Sequence, residues 1–232
     1  MADTSWTAAQ TLDWPAYKQW AGRFADVPQE QRERFIFRGH GDSNWLLKPS
    51  LDRGVPFVSL DERSRRLRAL IEEFVHECEA LPSKPSLPEG EVAQECLARH
   101  HGMPSSLLDW TRSPYIAAFF AFADPHRGAE SVEVLALDRS MLPDDAPLEF
   151  LVERRLVRLN PRGIAQQAVF VRVEDQSQRL DEVLRCALHR VRLLSAETAR
   201  SLADLDLMGI NERTMYADVG GAAKAAARRV LR

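Results

Sequence analysis

Long apolar runs, paired cysteines and a strong charge of either sign are all missing from this 232-residue chain. The longest apolar stretch, 115–123, falls far short of the ~20 residues a membrane helix requires, so no membrane association is expected. The three cysteines, Cys78, Cys96 and Cys186, are odd in number and form no CxxC pair, which argues against a disulfide scaffold or a zinc ribbon. Cys78 and Cys96 fall on apolar helical stripes, and all three are expected to be buried thiols in a reducing compartment. A formal net charge of −3 gives no bulk attraction to nucleic acid or anionic lipid, although local basic patches stay open. The opening residues, MADTSWTAAQTLDW, contain no basic segment followed by an apolar run, so no signal peptide is expected and a cytoplasmic location is. Repeats and low-complexity tracts are also absent.

What is present is ordinary globular composition, 45% apolar and 28% charged. A chain of this length buries roughly 70% or more of its unfolded surface and needs neither disulfides nor metals to hold it. A helix is expected over 14–24, with Asp13 as cap and Pro15 in the first turn. RFIFRGH predicts a strand over 35–38, stopped by Gly39. Apolar spacing predicts helices over 61–81, 92–101 and 114–123, then strands from 131 and over 167–173. An amphipathic helix carrying Leu180, Val183, Leu184, Ala187 and Leu188 precedes a strand over 191–194, and helices over 196–206 and 219–231 close the chain. The Pro-rich connector 82–90 is the only candidate boundary, and the motifs on its two sides need each other. Without regular βαβ alternation the expectation is α+β: a single domain with a small mixed or antiparallel sheet surrounded by helices. Residues 1–34 are expected as an N-terminal helical extension and 35–232 as the body.

Three polar constellations stand out. In HHGMPSSLLDWTRSPYIAAFFAF, 100–122, Ser113-Pro114 reads as a cap for a helix that is apolar all round and so buried on several sides. Asp109, between leucines and a tryptophan, must find donors. It is either a structural acceptor, with an arginine or turn amides as partner, or a site carboxylate. Thr111 and Arg112 are the next polar groups on the same turn. His100 and His101 end a helix, and nothing stands at ligand spacing to make them a metal site. In FRGH, Arg38 ends an apolar strand and offers a rigid five-donor fork to phosphate or carboxylate; a buried pair with Asp109 is the structural alternative. In NPRGIAQQAVFV, alternation sends Gln166 and Gln167 to opposite faces, so one of them at most can point at any given site.

Together these stretches resemble the FRG domain, a family named for its (F/Y)RG signature. The likeness runs through FRGHGDSNWLLKPSLDR, ARHHGMPSSLLDWTRSPYIAAFFAFAD, NPRGIAQQAVFV and ERTMYADVGGAA in order. Two departures show: His40 stands where the family usually has Gln, and Ser105-Ser106 replace its usual Thr-Arg. A weaker likeness is to the ADP-ribosyltransferase fold. That resemblance implies NAD as co-substrate and gives catalytic positions to Arg38, Thr111 and Gln167 (or Gln166), with Asp109 as a further catalytic candidate that would orient Arg38 or face the developing positive charge. It assigns ligand contact to Arg38, Gly39, His40, His101, Trp110 and Gln166, with Gln166 and Gln167 interchangeable at this stage and no metal. It also implies a toxin or defence factor that transfers ADP-ribose to a nucleic-acid or protein acceptor, with an inhibitory partner protein holding it in check. Because a neutral Gln cannot stabilise an oxocarbenium ion as a carboxylate can, a non-catalytic nucleotide- or phosphate-binding module is the alternative. A third reading, nucleic-acid binding or cleavage, rests on the basic clusters RSRRLR (63–68), ERRLVRLNPR (153–162) and AARR near the end. The first of these falls on the polar face of a helix, and no aromatics interleave with the basic runs.

Overall fold

The computed structural model describes residues 9–54, 59–151, 161–175 and 179–230. Seven strands build one sheet: β1 (Gln10–Leu12), β2 (Phe35–His40), β3 (Leu107–Thr111), β4 (Ser131–Asp138), β5 (Leu148–Leu151), β6 (Ala168–Val173) and β7 (Leu188–Leu194). Their order is β1-β7-β4-β2-β3-β6-β5. β1 runs parallel to β7, and the remaining neighbours are antiparallel. β2 pairs with β4 from Phe35↔Asp138 to His40↔Glu133, and β3 with β6 from Leu107↔Arg172 to Thr111↔Ala168. Between β2 and β3, however, the ladder is reduced to Phe37↔Thr111. The sheet is therefore two well-paired halves joined at one point.

The helices are α1 (Trp14–Gly22), α2 (Gln29–Arg32), α3 (Leu51–Gly54), α4 (Leu60–Ala80), α5 (Glu91–His100), α6 (Pro114–Ala123), α7 (Pro161–Ala165), α8 (Leu180–Val183), α9 (Thr198–Leu207), α10 (Glu212–Tyr216) and α11 (Val219–Val230). The chain is thus α+β, a mixed sheet within helices. No described helix is long and apolar enough to cross a membrane.

α6 behaves as its sequence demands. Ser113 Oγ accepts from the Ile116 N–H at 3.3 Å, and Pro114 occupies the first turn, where its missing N–H costs nothing. Ala117, Ala118, Phe119, Ala121 and Phe122 are all fully buried. They join Phe35 and Phe37 of β2 and Trp14, Tyr17 and Trp20 of α1 in the largest core cluster. The N-terminal segment thus contributes an edge strand and core aromatics, and Tyr17 donates its hydroxyl to the Pro114 carbonyl at 2.6 Å. The opposite sheet face packs Ile36, Leu108, Trp110, Leu135, Val169, Val171 and Leu180. A third cluster sets Ala93 and Cys96 of α5 over Leu107 and Phe170.

Several expectations change. Residues 107–111 are a strand rather than part of a turn, since Leu107 and Leu108 bury on opposite faces and the segment pairs fully with β6. The amphipathic helix expected through Leu188 stops at Val183; Leu184, Ala187 and Leu188 still enter the core, but from a turn and a strand that begins at Leu188. Cys186, on that turn, is exposed, while Cys78 and Cys96 are buried. Arg63 is not on the solvated face of α4: it is buried and pairs bidentately with Asp52 at 2.7 and 2.9 Å. β1, β5 and α10 had no counterpart in the sequence reading. Most of the basic run 153–162 lies outside the described residues.

Candidate functional site

The place where the sheet parts is the place where the FRGH residues sit. Phe37 is buried in the core beneath α6. Gly39 lies under the α6 main chain: a Cβ there would stand 2.1 Å from the Ala117 carbonyl oxygen and 2.6 Å from the Ala121 nitrogen. Only glycine admits the helix this close. Arg38, between them, spans the gap to β3. Its Nη1 donates to the main-chain carbonyl of Asp109 at 2.6 Å, and its Nε donates to His40 Nε2 at 3.3 Å. The Arg38 side chain thus stands in for ladder bonds that the diverging strands do not make. Its second terminal nitrogen has no hydrogen-bond partner among the described residues. Burial pulls the guanidinium down to about 10, against the pull of Asp109, so it remains a cation at neutral pH. His40 is buried behind Arg38; burial and then Arg38 itself push its imidazole well below the ordinary histidine value. It is a neutral acceptor here.

The β3 wall carries Asp109, whose carboxylate takes Arg99 of α5 bidentately: Nε to Oδ1 at 2.7 Å and Nη2 to Oδ2. Burial works to raise the Asp109 carboxyl, but Arg99, by charge and by hydrogen bond, and then Arg38 hold it below the usual carboxylate range. With 42% of its side-chain surface open to the cleft, Asp109 is screened in part by solvent, while its partner Arg99 is 15% exposed. Beneath it, Glu95 is fully buried and its Oε1 accepts from Ser105 Oγ (2.9 Å), the Ser106 N–H (2.8 Å) and Ser106 Oγ (2.8 Å). The Ser105-Ser106 departure therefore has a structural role: both hydroxyls anchor the start of β3 to α5. Thr111 is buried, and its Oγ1 accepts from the Ser113 N–H at 3.2 Å, which leaves the hydroxyl proton to donate.

The facing wall comes from the C-terminal third. Arg162 of α7 donates to the carbonyls of Tyr216 (3.0 Å) and His100 (3.3 Å) and pairs with Asp218. Gln166 Nε2 donates to the Met215 carbonyl at 2.9 Å, which fixes the amide and turns its oxygen into a free acceptor among the described residues. Phe120 and Tyr216 meet edge to face at 6.1 Å.

These groups enclose a cleft of about 430 Å³, within the range of small-molecule sites. Arg99 is paired with Asp109, the one carboxylate among the described residues of its walls, and Arg162 with Asp218, so Arg38 is left as the excess cation of the cleft and suits it to an anionic ligand. Among the described residues no cluster of three or more His, Cys, Asp or Glu is placed to hold a metal ion.

Of the residues singled out in the sequence, Arg38, Gly39, Asp109, Trp110, Thr111 and Gln166 line this one cleft. Three do not. His40 touches it only through Arg38, and His101 and Gln167 are exposed outside it. Gln167 is left-handed, with φ 48°, so the strand's alternation begins only at Ala168 and cannot be extended back to choose between the two glutamines. Asp109 reaches Arg38 through its carbonyl, and its carboxylate belongs to Arg99. The sequence reading passed over Arg99, Phe120 and Tyr216, placed His100 at a helix end without a chemical role, and gave Arg162 no role. The one available signal was that ARHH and ERTMY lie within the matched stretches.

The geometry defines a class first: an α+β domain with a cationic cleft at a parted sheet, headed by a Phe-Arg-Gly strand. Residues 33–130 match the family model of the FRG domain, and the chain carries an FRG domain over that segment. The matched segment supplies β2, α5, β3 and α6, and ends before α7 and α10 complete the cleft. No curated protein and no solved structure matches the chain.

Proposed function

We propose that the cleft binds NAD and cleaves its nicotinamide–ribose bond, handing ADP-ribose to water or to an acceptor hydroxyl or amine. The observation that carries this is the convergence of Arg38, Thr111 and Gln166 on one cleft, in the chain order that the resemblance to ADP-ribosyltransferases implies. Arg38 offers its unbonded Nη2 to the diphosphate, held in place by its bonds to the Asp109 carbonyl and His40. The Thr111 hydroxyl donates to the nicotinamide ribose, and the free Gln166 oxygen accepts from a ribose hydroxyl. Phe120 and Tyr216 supply apolar faces for a ring. The scissile bond breaks with its electron pair moving to the pyridinium nitrogen, so nicotinamide leaves neutral and the ribose passes through an oxocarbenium-like state. Positioning and electrostatics supply most of the rate in such a reaction. A role as toxin or defence factor, with a protein inhibitor, follows from the same reading.

One observation favours a second reading, binding without turnover. The only carboxylate on the described walls is engaged at both oxygens by Arg99, and Gln166 is neutral. The two are separated by incubating the protein with NAD and following free nicotinamide by chromatography, with Thr111→Val and Gln166→Ala as controls. Release that falls in both variants supports the enzyme. Saturable binding without release supports the module, and neither binding nor release removes NAD from consideration.

A further inference from the structure

His100 is a base that the roles above leave idle. It is the last residue of α5 and lines the cleft beside Asp109 and Gln166. Its carbonyl is taken by Arg162, and its ring packs edge-on with Phe170, centroids 6.0 Å apart at 78°. Among the described residues neither ring nitrogen has a hydrogen-bond partner. Neither nitrogen is among the buried unpartnered atoms, so both are accessible on a residue of the cleft wall, where a ligand can meet them. The titratable and charged groups that face it are Asp109 of β3, Arg99 of α5, His101 just past that helix, and Arg162 of α7. Burial acts first and, together with Arg99 and Arg162, outweighs Asp109, so the ring is neutral at pH 7.

We propose that His100 is the general base that takes the proton from the acceptor hydroxyl, or from water in hydrolysis; this rests on the NAD reading above. The other lining groups cannot do it. Gln166 is an amide, both oxygens of Asp109 accept from Arg99, and the arginines are protonated. In the step, the C1′–N bond breaks with its pair going to nicotinamide. An oxygen lone pair of the acceptor forms the new bond to C1′, and the acceptor proton passes to His100 and then to solvent. No oxidant or reductant is involved.

The test is nicotinamide release from NAD between pH 5 and 8 by wild type and His100→Gln, with NAD affinity measured by calorimetry and melting curves for both. The wild-type rate falls as pH drops through the His100 pKa. His100→Gln keeps NAD affinity within about twofold, loses about 10²–10⁴-fold in rate and lacks the acid limb. Added imidazole restores part of the rate to His100→Gly. A His100→Gln protein with the wild-type rate and the same acid limb overturns the assignment of the base alone. Absence of release from wild type itself overturns the NAD-cleaving reading and this inference with it. Should the variants not fold, diethyl pyrocarbonate modification of wild-type His100 decides: protection by saturating NAD supports the role, and unchanged reactivity overturns it.

Discussion

Arg38 and Asp109 are joined through the main chain: the guanidinium donates to the Asp109 carbonyl at 2.6 Å, while the Asp109 carboxylate is committed to Arg99. One residue of β3 thus positions two cations, one through its backbone and one through its side chain. The gap that Arg38 bridges is the gap that opens the cleft.

Replacing Arg38 therefore has two consequences. Arg38→Ala leaves the Asp109 carbonyl and His40 Nε2 without their donor, and stability falls by about 1–3 kcal/mol. Ligand affinity is lost as well. Arg38→Lys recovers part of the stability but not the fork geometry, so its binding stays at least tenfold weaker. Urea unfolding and calorimetry on the two variants check both parts.

Gly39→Ala is expected to be far worse than its size suggests. The new Cβ would overlap the main chain of α6 at Ala117 and Ala121, which a side-chain rotation cannot relieve. Displacing a buried helix costs more than the 1–3 kcal/mol typical of overpacking. Soluble expression and urea midpoints report this, and a variant as stable as wild type would contradict the packing described for the FRG strand.

Asp109 adds a pH dependence. Its carboxyl is held below the value it has in the unfolded chain, ~4. Its contribution to stability is therefore complete above that value and lost as pH falls through the lower folded pKa. Urea midpoints of wild type should drop more steeply than those of Asp109→Asn below about pH 4, and parallel curves would contradict the ion pair.

The two glutamines make an internal control. Gln166→Ala should weaken NAD binding about 5–10-fold, the worth of one hydrogen bond to ligand, and Gln167→Ala should leave it unchanged. Equal effects would mean that the cleft closes differently around its ligand.

Thiol reactivity checks the corrected cysteines. Burial, then the neighbouring Glu95, pushes the Cys96 thiol up to about 12, and Cys78 is buried as well. A disulfide reagent at pH 8 should label Cys186 rapidly in the native protein and all three thiols after unfolding.

How much of this was readable in advance follows from local physics. α6 was legible because Ser113-Pro114 is a strong start signal and an all-apolar helix has only one place to go. Arg38 was legible because a guanidinium and a glycine at the end of an apolar strand are a costly combination to bury without purpose. β3 was read as a turn because five residues carrying Asp and Thr between two helices look like a loop until a partner strand pairs them. The choice between Gln166 and Gln167 stayed open in the sequence, and the alternation could not have made it, because one left-handed residue interrupts the strand there. The Asp109–Arg99 pair depends on how α5 crosses β3, and the far wall on how α10 docks against α7. Neither crossing leaves a periodic trace in the chain.

The measurement that bears most directly on the cleft is a calorimetric titration of the wild-type protein and Arg38→Lys with NAD. The expected result is saturable one-site binding by wild type, weakened at least tenfold in Arg38→Lys. No heat with wild type, or equal affinity in the two proteins, would contradict the assignment of the parted sheet and its arginine to NAD.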